Sequence, residues 1–104
     1  MSPIVCFDVD QTLVKKDFNG NDIPRYDVIQ LFELFERFGC TMCIWSRGGI
    51  EHALAIRNAL GLKAKIYEKG SFVPCISVDD SEHDLGKINI DVSKKVDLEE
   101  EICF

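Results

Sequence analysis

The sequence predicts an α/β fold with a mainly parallel sheet, and three observations carry that prediction. Short apolar runs end abruptly in Asp or Ser: residues 3–7 before Asp8, 41–45 before Ser46, and 75–78 before Asp79. Runs that are apolar throughout, rather than alternating, mark strands buried on both faces, as parallel sheets require. Segments with helical spacing separate the first runs, and strand–helix alternation is the pattern of a parallel sheet. The chain has 104 residues, 46% hydrophobic and 29% charged. It therefore holds a single globular domain over 1–104, with no room for a second core.

Each element has its own local reason. Residues 3–7 (Pro-Ile-Val-Cys-Phe) form the first strand. Residues 15–23 are polar around Asn19-Gly20, the strongest short hairpin signal, so 13–23 reads as a flap-like hairpin. A helix is expected from near Pro24, with Asp22 as its cap, because proline is tolerated in a first turn. Val28, Leu31, Phe32, Phe35 and Phe38 keep helical spacing, and Gly39 is placed to end the helix. The second strand spans 41–45. Ile50, Ala53, Leu54, Arg57 and Leu60 supply the face of a second helix, closed by Gly61. Short strands over 65–67, 75–78 and 87–92 complete the set. Residues 94–104 read as a tail or a short docking helix, with Asp97, Glu99, Glu100 and Glu101 making it acidic.

Composition removes several functional classes. The longest apolar run is far below the ~20 residues needed to cross a bilayer, and with a strand beginning near Pro3 no leader peptide is expected. A soluble, cytoplasmic protein without membrane partners is the expectation. Eighteen acids against twelve bases give a net charge of −6, a poor footprint for general nucleic-acid binding. Setting aside Asp8, Asp10, Asp79, Asp80 and Asp84 leaves thirteen acids against twelve bases. The acidity is therefore concentrated. The five cysteines show no disulfide framework, and Cys40-Thr41-Met42-Cys43 lies in a strand rather than at the helix N-terminus a redox pair needs. Reduced core cysteines are expected.

The three strand ends carry the chemistry. In an open α/β sheet, ligands bind beyond the carboxyl ends of the strands. Parallel strands would bring Asp8-Val9-Asp10-Gln11-Thr12, Ser46-Arg47-Gly48 and Asp79-Asp80 to one place. Several carboxylates cannot share a small site unneutralised, and a hard cation with oxygen ligands, Mg²⁺ above all, resolves the conflict. A serine hydroxyl and a nearby lysine suit a phosphoryl group. An EF-hand reading of Asp8-Val9-Asp10 fails, since no Gly or terminal Glu follows at loop spacing.

These residues resemble the haloacid dehalogenase-like (HAD) superfamily over roughly residues 3–92. The strand plus DxDxT motif is Ile4-Val5-Cys6-Phe7-Asp8-Val9-Asp10-Gln11-Thr12. The strand plus Ser motif is Cys43-Ile44-Trp45-Ser46, and the strand plus acidic pair is Ile76-Ser77-Val78-Asp79-Asp80, with Asp84 a further candidate. The resemblance implies a Rossmann-like three-layer sandwich and a Mg²⁺-dependent phosphatase working through an aspartyl-phosphate. Asp8 would be the nucleophile and Asp10 the general acid and base. Thr12 would support the turn that brings Asp10 back, and would belong to the phosphate-binding set with Ser46, Arg47, Gly48 and a lysine. Asp8, the Asp10 carbonyl, Asp79 and Asp80 would hold Mg²⁺.

The lysine motif is irregular here. Lys63, Lys65 and Lys69 all fall between Ser46 and Asp79, and Lys69 is favoured because it follows the strand-like Ile66-Tyr67. Residues 70–74 are too few for a regular crossover. Either the chain dives back across the sheet in extended form, or 65–67 is not a regular parallel strand. Neither interval between motifs holds a cap domain, which implies an open site. Capless relatives act on bulky phosphorylated substrates such as nucleic-acid ends or phosphoproteins. A homo-oligomer could also close the site, and an exposed aromatic on the hairpin would point to it. Lys15, Lys16 and Arg47 are candidates for a basic rim. A regulatory HAD-fold module with little turnover, and a phosphotransferase, are the alternatives. Trp45 and the helix phenylalanines are assigned to the core, and His52 and His83 to solvated surface, with a place near the site as the alternative for His83.

Overall fold

The computed structural model describes residues 2–96, so most of the acidic tail lies outside the described residues. The elements are β1 (Ile4–Phe7), β2 (Val14–Lys16), β3 (Asp22–Pro24), α1 (Tyr26–Arg37), β4 (Thr41–Ile44), α2 (Ile50–Leu60), β5 (Lys65–Ile66), β6 (Ile76–Asp79) and β7 (Ile88–Asp91). Five strands form one parallel sheet in the order β5-β4-β1-β6-β7. This is an α/β architecture consistent with a Rossmann-like sandwich. Among the described residues no helix is long and apolar enough to cross a membrane.

The register explains the layers. Val5 and Phe7 of β1 lie beside Met42 and Ile44 of β4. All four join Val28, Ile29 and Phe32 of α1 and Ala53 of α2 in the main core. Phe7 and Phe32 meet edge to face at 5.1 Å, a geometry worth about 0.5–1.5 kcal/mol beyond area burial. Both helices therefore serve one face. The alternate residues Cys6 and Cys43 point to the other face, where a smaller cluster forms with Trp45, Phe72 and Leu85. The third layer of the expected sandwich is present, but irregular chain rather than a helix supplies it.

That difference follows from the short connection after β5. The chain leaves β5 at one edge and must pass β4 and β1 to reach β6. With only residues 67–75 available it crosses as an irregular segment with a turn at Lys69-Gly70 and no helix, and β5 remains a short parallel strand. Of the two routes open to the sequence, the dive across the sheet is the one taken. Trp45 is fully buried and meets Phe72 at 5.6 Å with the rings tilted, while Phe72 meets Tyr67 edge to face at 5.0 Å. These aromatic contacts anchor the crossing.

The hairpin is real, with a longer loop than a two-residue turn. Residues 17–20 form a turn closed by Gly20 N–H to Asp17 O at 3.1 Å, and Gly20 adopts a φ of 78°. The Asp17 carboxylate accepts from the Asn19 and Asn21 N–H groups. The left-handed Gly20 lets this turn close within the five residues, 17–21, that join β2 to β3. The first helix starts later than expected. Pro24 is spent as the last residue of β3, Arg25 occupies the cap position, and Asp22 pairs with Lys16 across the hairpin at 2.7 Å. Phe38 is exposed, because the helix ends at Arg37 and Gly39 turns the chain with φ 83°. On α2 only Ala53 is buried. Ile50 and Leu54 face outward, while Ile56 and Leu60 pack on the core. The buried stripe is thus narrower and rotated from the expected one.

Candidate functional site

The site lies where the chain reverses its direction across the sheet. From β1 it moves outward to β4 and β5, then jumps to β6 and β7 on the other side. The crevice at the carboxyl ends of β1 and β6 is the switch point at which open α/β sheets bind ligands. Asp8 follows β1, Asp79 ends β6, and Ser46 follows β4 by two residues. All three are nearly sealed from solvent, at 6%, 4% and 4% exposure. The Asp8 N–H donates to Val78 O at 3.0 Å, so the β-ladder itself holds the first carboxylate beside the second.

After Asp8 the chain turns sharply. The N–H groups of Thr12, Leu13 and Val14 all converge on Val9 O, at 3.2, 2.9 and 3.2 Å. Gln11 takes a left-handed φ of 62° to complete this turn, at a position where the resembled family often has glycine. Thr12 is fully buried, and its hydroxyl donates to Asp8 Oδ2 at 3.4 Å. It supports the turn and Asp8 as expected. In this structure the Thr12 hydroxyl is engaged with Asp8 and lies beneath the cavity surface.

Of the three lysine candidates, Lys69 reaches the site. Its ammonium donates to Asp8 Oδ1 at 3.0 Å and to Asp79 Oδ2 at 2.7 Å, with a side chain only 9% exposed. Lys65 lies exposed on β5, and Lys63 lines a separate groove beside Glu33 and Arg37. The loop that carries Lys69 is pinned on both sides. Tyr67 N–H bonds Ile44 O at 3.3 Å, Ser71 N–H bonds Glu68 O at 3.1 Å, and Phe72 docks on Trp45.

The electrostatics follow from burying three acids around one cation. Burial, then the neighbouring Asp79 charge, raise the Asp8 carboxyl above its ordinary value, and Lys69 opposes them. Burial acts against ionisation of Asp79 as well. The hydrogen bonds with Asp80 and Lys69 outweigh it and hold Asp79 below the ordinary range. Asp80 takes the strain of the group: burial, a hydrogen bond with Asp79 and the Asp79 charge push it up to about 6. Lys69 stays firmly charged, because its bonds to Asp79 and Asp8 overcome the cost of burial.

The carboxylates of Asp8, Asp79 and Asp80 each offer an oxygen within 4.8 Å of the others. With Lys69 counted, three ionised acids leave two negative charges uncompensated. An all-oxygen donor set of that charge fits a hard divalent cation such as Mg²⁺. The Asp10 carboxylate lies outside this cluster. It is more than half exposed, and His52 Nε2 sits 3.0 Å from its Oδ1. His52 is thus a site neighbour rather than free surface, a correction to the sequence reading. Its signal was faint: a histidine four residues beyond Gly48 is informative only once the 46–49 loop is known to turn directly into α2.

The remaining candidates sort by position. Ser46 Oγ accepts from the Gly48 N–H at 3.0 Å, which leaves its own proton free for a ligand. That Gly48 N–H is already engaged, so Gly48 acts by shaping the loop. Arg47, Ser81, His83 and Asp84 line the cavity of about 510 Å³ above Asp8, together with Lys69. His83 is half-buried, with Nε2 3.0 Å from Ser77 Oγ and Nδ1 2.8 Å from Ser81 O. It braces the loop after β6 and is not solvated surface. The rim is less basic than expected, because Lys16 is paired with Asp22. Lys15 lines an adjoining groove that shares Gln11 and Asp80 with the cavity. No family model matches the chain, and no curated protein or solved structure matches it.

Proposed function

We propose that this protein is a capless HAD-like phosphomonoester hydrolase that uses Mg²⁺ and an aspartyl-phosphate on Asp8. The observation that carries this reading is the bridge from Lys69 to Asp8 and Asp79 at the switch point of a parallel sheet, with Ser46 beside it. Such a site is built to receive an anion next to a carboxylate.

Asp8 attacks phosphorus and displaces the alcohol or phenol oxygen of the ester. Thr12 and Lys69 each hold one of its oxygens, fixing the plane of the carboxylate. Asp10 gives its proton to the leaving oxygen, then takes a proton from the water that attacks the phosphorus of the aspartyl-phosphate. Inorganic phosphate leaves, and both acids return to their starting states. Ser46 donates to a phosphoryl oxygen, and Lys69 neutralises charge on the same group. Mg²⁺ bound by Asp8, Asp79 and Asp80, with the Asp10 carbonyl, would supply further charge neutralisation at the phosphoryl oxygens.

The substrate we favour is bulky, a nucleic-acid end or a phosphoprotein. Among the described residues, only the β2–β3 hairpin, the two helices α1 and α2 and short loops separate the strands, so no inserted domain covers the cavity. Phe18 at the hairpin tip is fully exposed, which also supports closure by a large substrate or a neighbouring subunit. The test is phosphate release from an aryl phosphate with and without Mg²⁺, for the wild type, Asp8→Asn and Asp10→Asn. Metal-dependent turnover lost in both variants is the expected result. No turnover by folded protein that binds Mg²⁺ would refute it.

A further inference from the structure

A general acid must present its carboxyl group in one orientation, yet Asp10 is more than half exposed and unconfined by packing. The 46–52 segment provides the confinement. We propose that His52 is a positioning residue that holds Asp10 for proton transfer to the leaving oxygen. This inference rests on the hydrolase reading above.

Three features support it. His52 Nε2 lies 3.0 Å from Asp10 Oδ1, so one oxygen is occupied and Oδ2 is left to face a substrate. With the acid proton of Asp10 on Oδ2, toward the leaving oxygen, Oδ1 only accepts, so the contact places the imidazole proton on Nε2. His52 stands in the first turn of α2, directly after the loop carrying Ser46, whose backbone is tied to the helix start by Gly49 N–H to Ser46 O at 3.1 Å. The phosphoryl-facing hydroxyl and the imidazole therefore move as one unit. Finally, Gly48 makes the space: a Cβ there would approach His52 Cδ2 to 3.0 Å and Cγ to 3.3 Å. Ser46, Gly48 and His52 thus form a single device that sets the phosphoryl group and its proton donor in register. Fixing a rotatable acid in a productive orientation lowers the entropic part of the barrier.

The experiment compares kcat/KM for an alkyl phosphate and for an aryl phosphate with a good leaving group, in the presence of Mg²⁺. A poor leaving group needs its proton from Asp10, whereas a phenolate needs little help. The wild type, His52→Ala and His52→Gln are compared, since the glutamine amide can still donate to Asp10. In His52→Ala the alkyl ester should lose roughly ten- to a hundredfold, part of the 10²–10⁴ that a full general acid contributes. That loss should exceed the loss on the aryl ester about tenfold, and His52→Gln should recover most of it. Equal losses on both esters, or no loss, would overturn the inference while leaving the hydrolase reading intact. If the wild type hydrolyses neither ester, the hydrolase reading falls and this inference falls with it. A readout independent of turnover is the ¹⁵N spectrum of the imidazole. The Nε2 resonance of His52 should shift in Asp10→Ala, and an unchanged resonance would overturn the contact itself.

Discussion

Asp8 and Asp10 are two residues apart and live in opposite environments. Asp8 is sealed at the end of β1, its N–H in the ladder with β6 and its carboxylate against Lys69 and Thr12. Asp10 is swung out by the turn around Val9 and meets solvent and His52. A buried carboxylate resists ionisation and needs a cation beside it, while an exposed one needs only to be aimed. The difference teaches how one short motif makes two tools. In the proposed mechanism the nucleophile is fixed by the sheet and paired with Lys69, and the proton carrier is held by His52.

The sharpest break in that comparison is Asp8→Asn. It should cut kcat by a factor on the order of 10⁴ or more, the usual consequence of losing a nucleophile, while thermal unfolding shows a folded protein. Next comes the cation. Lys69→Met leaves Asp8 and Asp79 buried without their partner, and such a change costs about 3–5 kcal/mol. Urea unfolding at neutral pH should show that loss, with part of it returned by millimolar Mg²⁺. A loss below 1 kcal/mol would mean that the acids do not depend on Lys69.

A third acid provides a control for pairing without chemistry. Asp27 is nearly buried, and burial would raise it. The Arg25 ion pair at 2.7 Å and the Val96 N–H at 2.9 Å outweigh burial and hold its carboxyl below the ordinary range. Its contribution to stability is therefore present in full above the unfolded value of about 3.9 and is lost as pH falls through the lower folded value. Asp27→Asn should cost about 1–2 kcal/mol at pH 7 and flatten the acid limb of the stability curve without touching turnover. The smallest effect is expected at the turn between the two site acids. Gln11 sits at φ 62°, and Gln11→Gly should raise stability by about 0.5–1 kcal/mol by removing that strain. A destabilised variant would show that the turn is held by the Gln11 side chain.

The strand ends were legible because burial on both faces leaves an unbroken apolar run that stops at the first polar residue. Asp8, Ser46 and Asp79 therefore stand out without a structure. Lys69 was readable only from the strand-like Ile66-Tyr67 before it, a weak local signal until the 67–75 segment is seen crossing the sheet. The layer it builds was hidden for the same reason: Phe72 on Trp45 is a long-range contact with no periodicity behind it. The start of α1 was misplaced because Pro24 serves a strand end as readily as a first helical turn. His52 and His83 went unread because each owes its place to a tertiary contact, with Asp10 and with Ser77.

The measurement that tests the central claim most directly is formation of a covalent mimic on Asp8. Beryllofluoride with Mg²⁺, followed by ¹⁹F NMR, reports an acyl-phosphate analogue on an attacking carboxylate without requiring the natural substrate. One saturable Mg²⁺-dependent adduct, absent in Asp8→Asn and retained in Asp10→Asn, is the result the account predicts. An adduct that survives Asp8→Asn, or none in folded protein at saturating Mg²⁺, would contradict it.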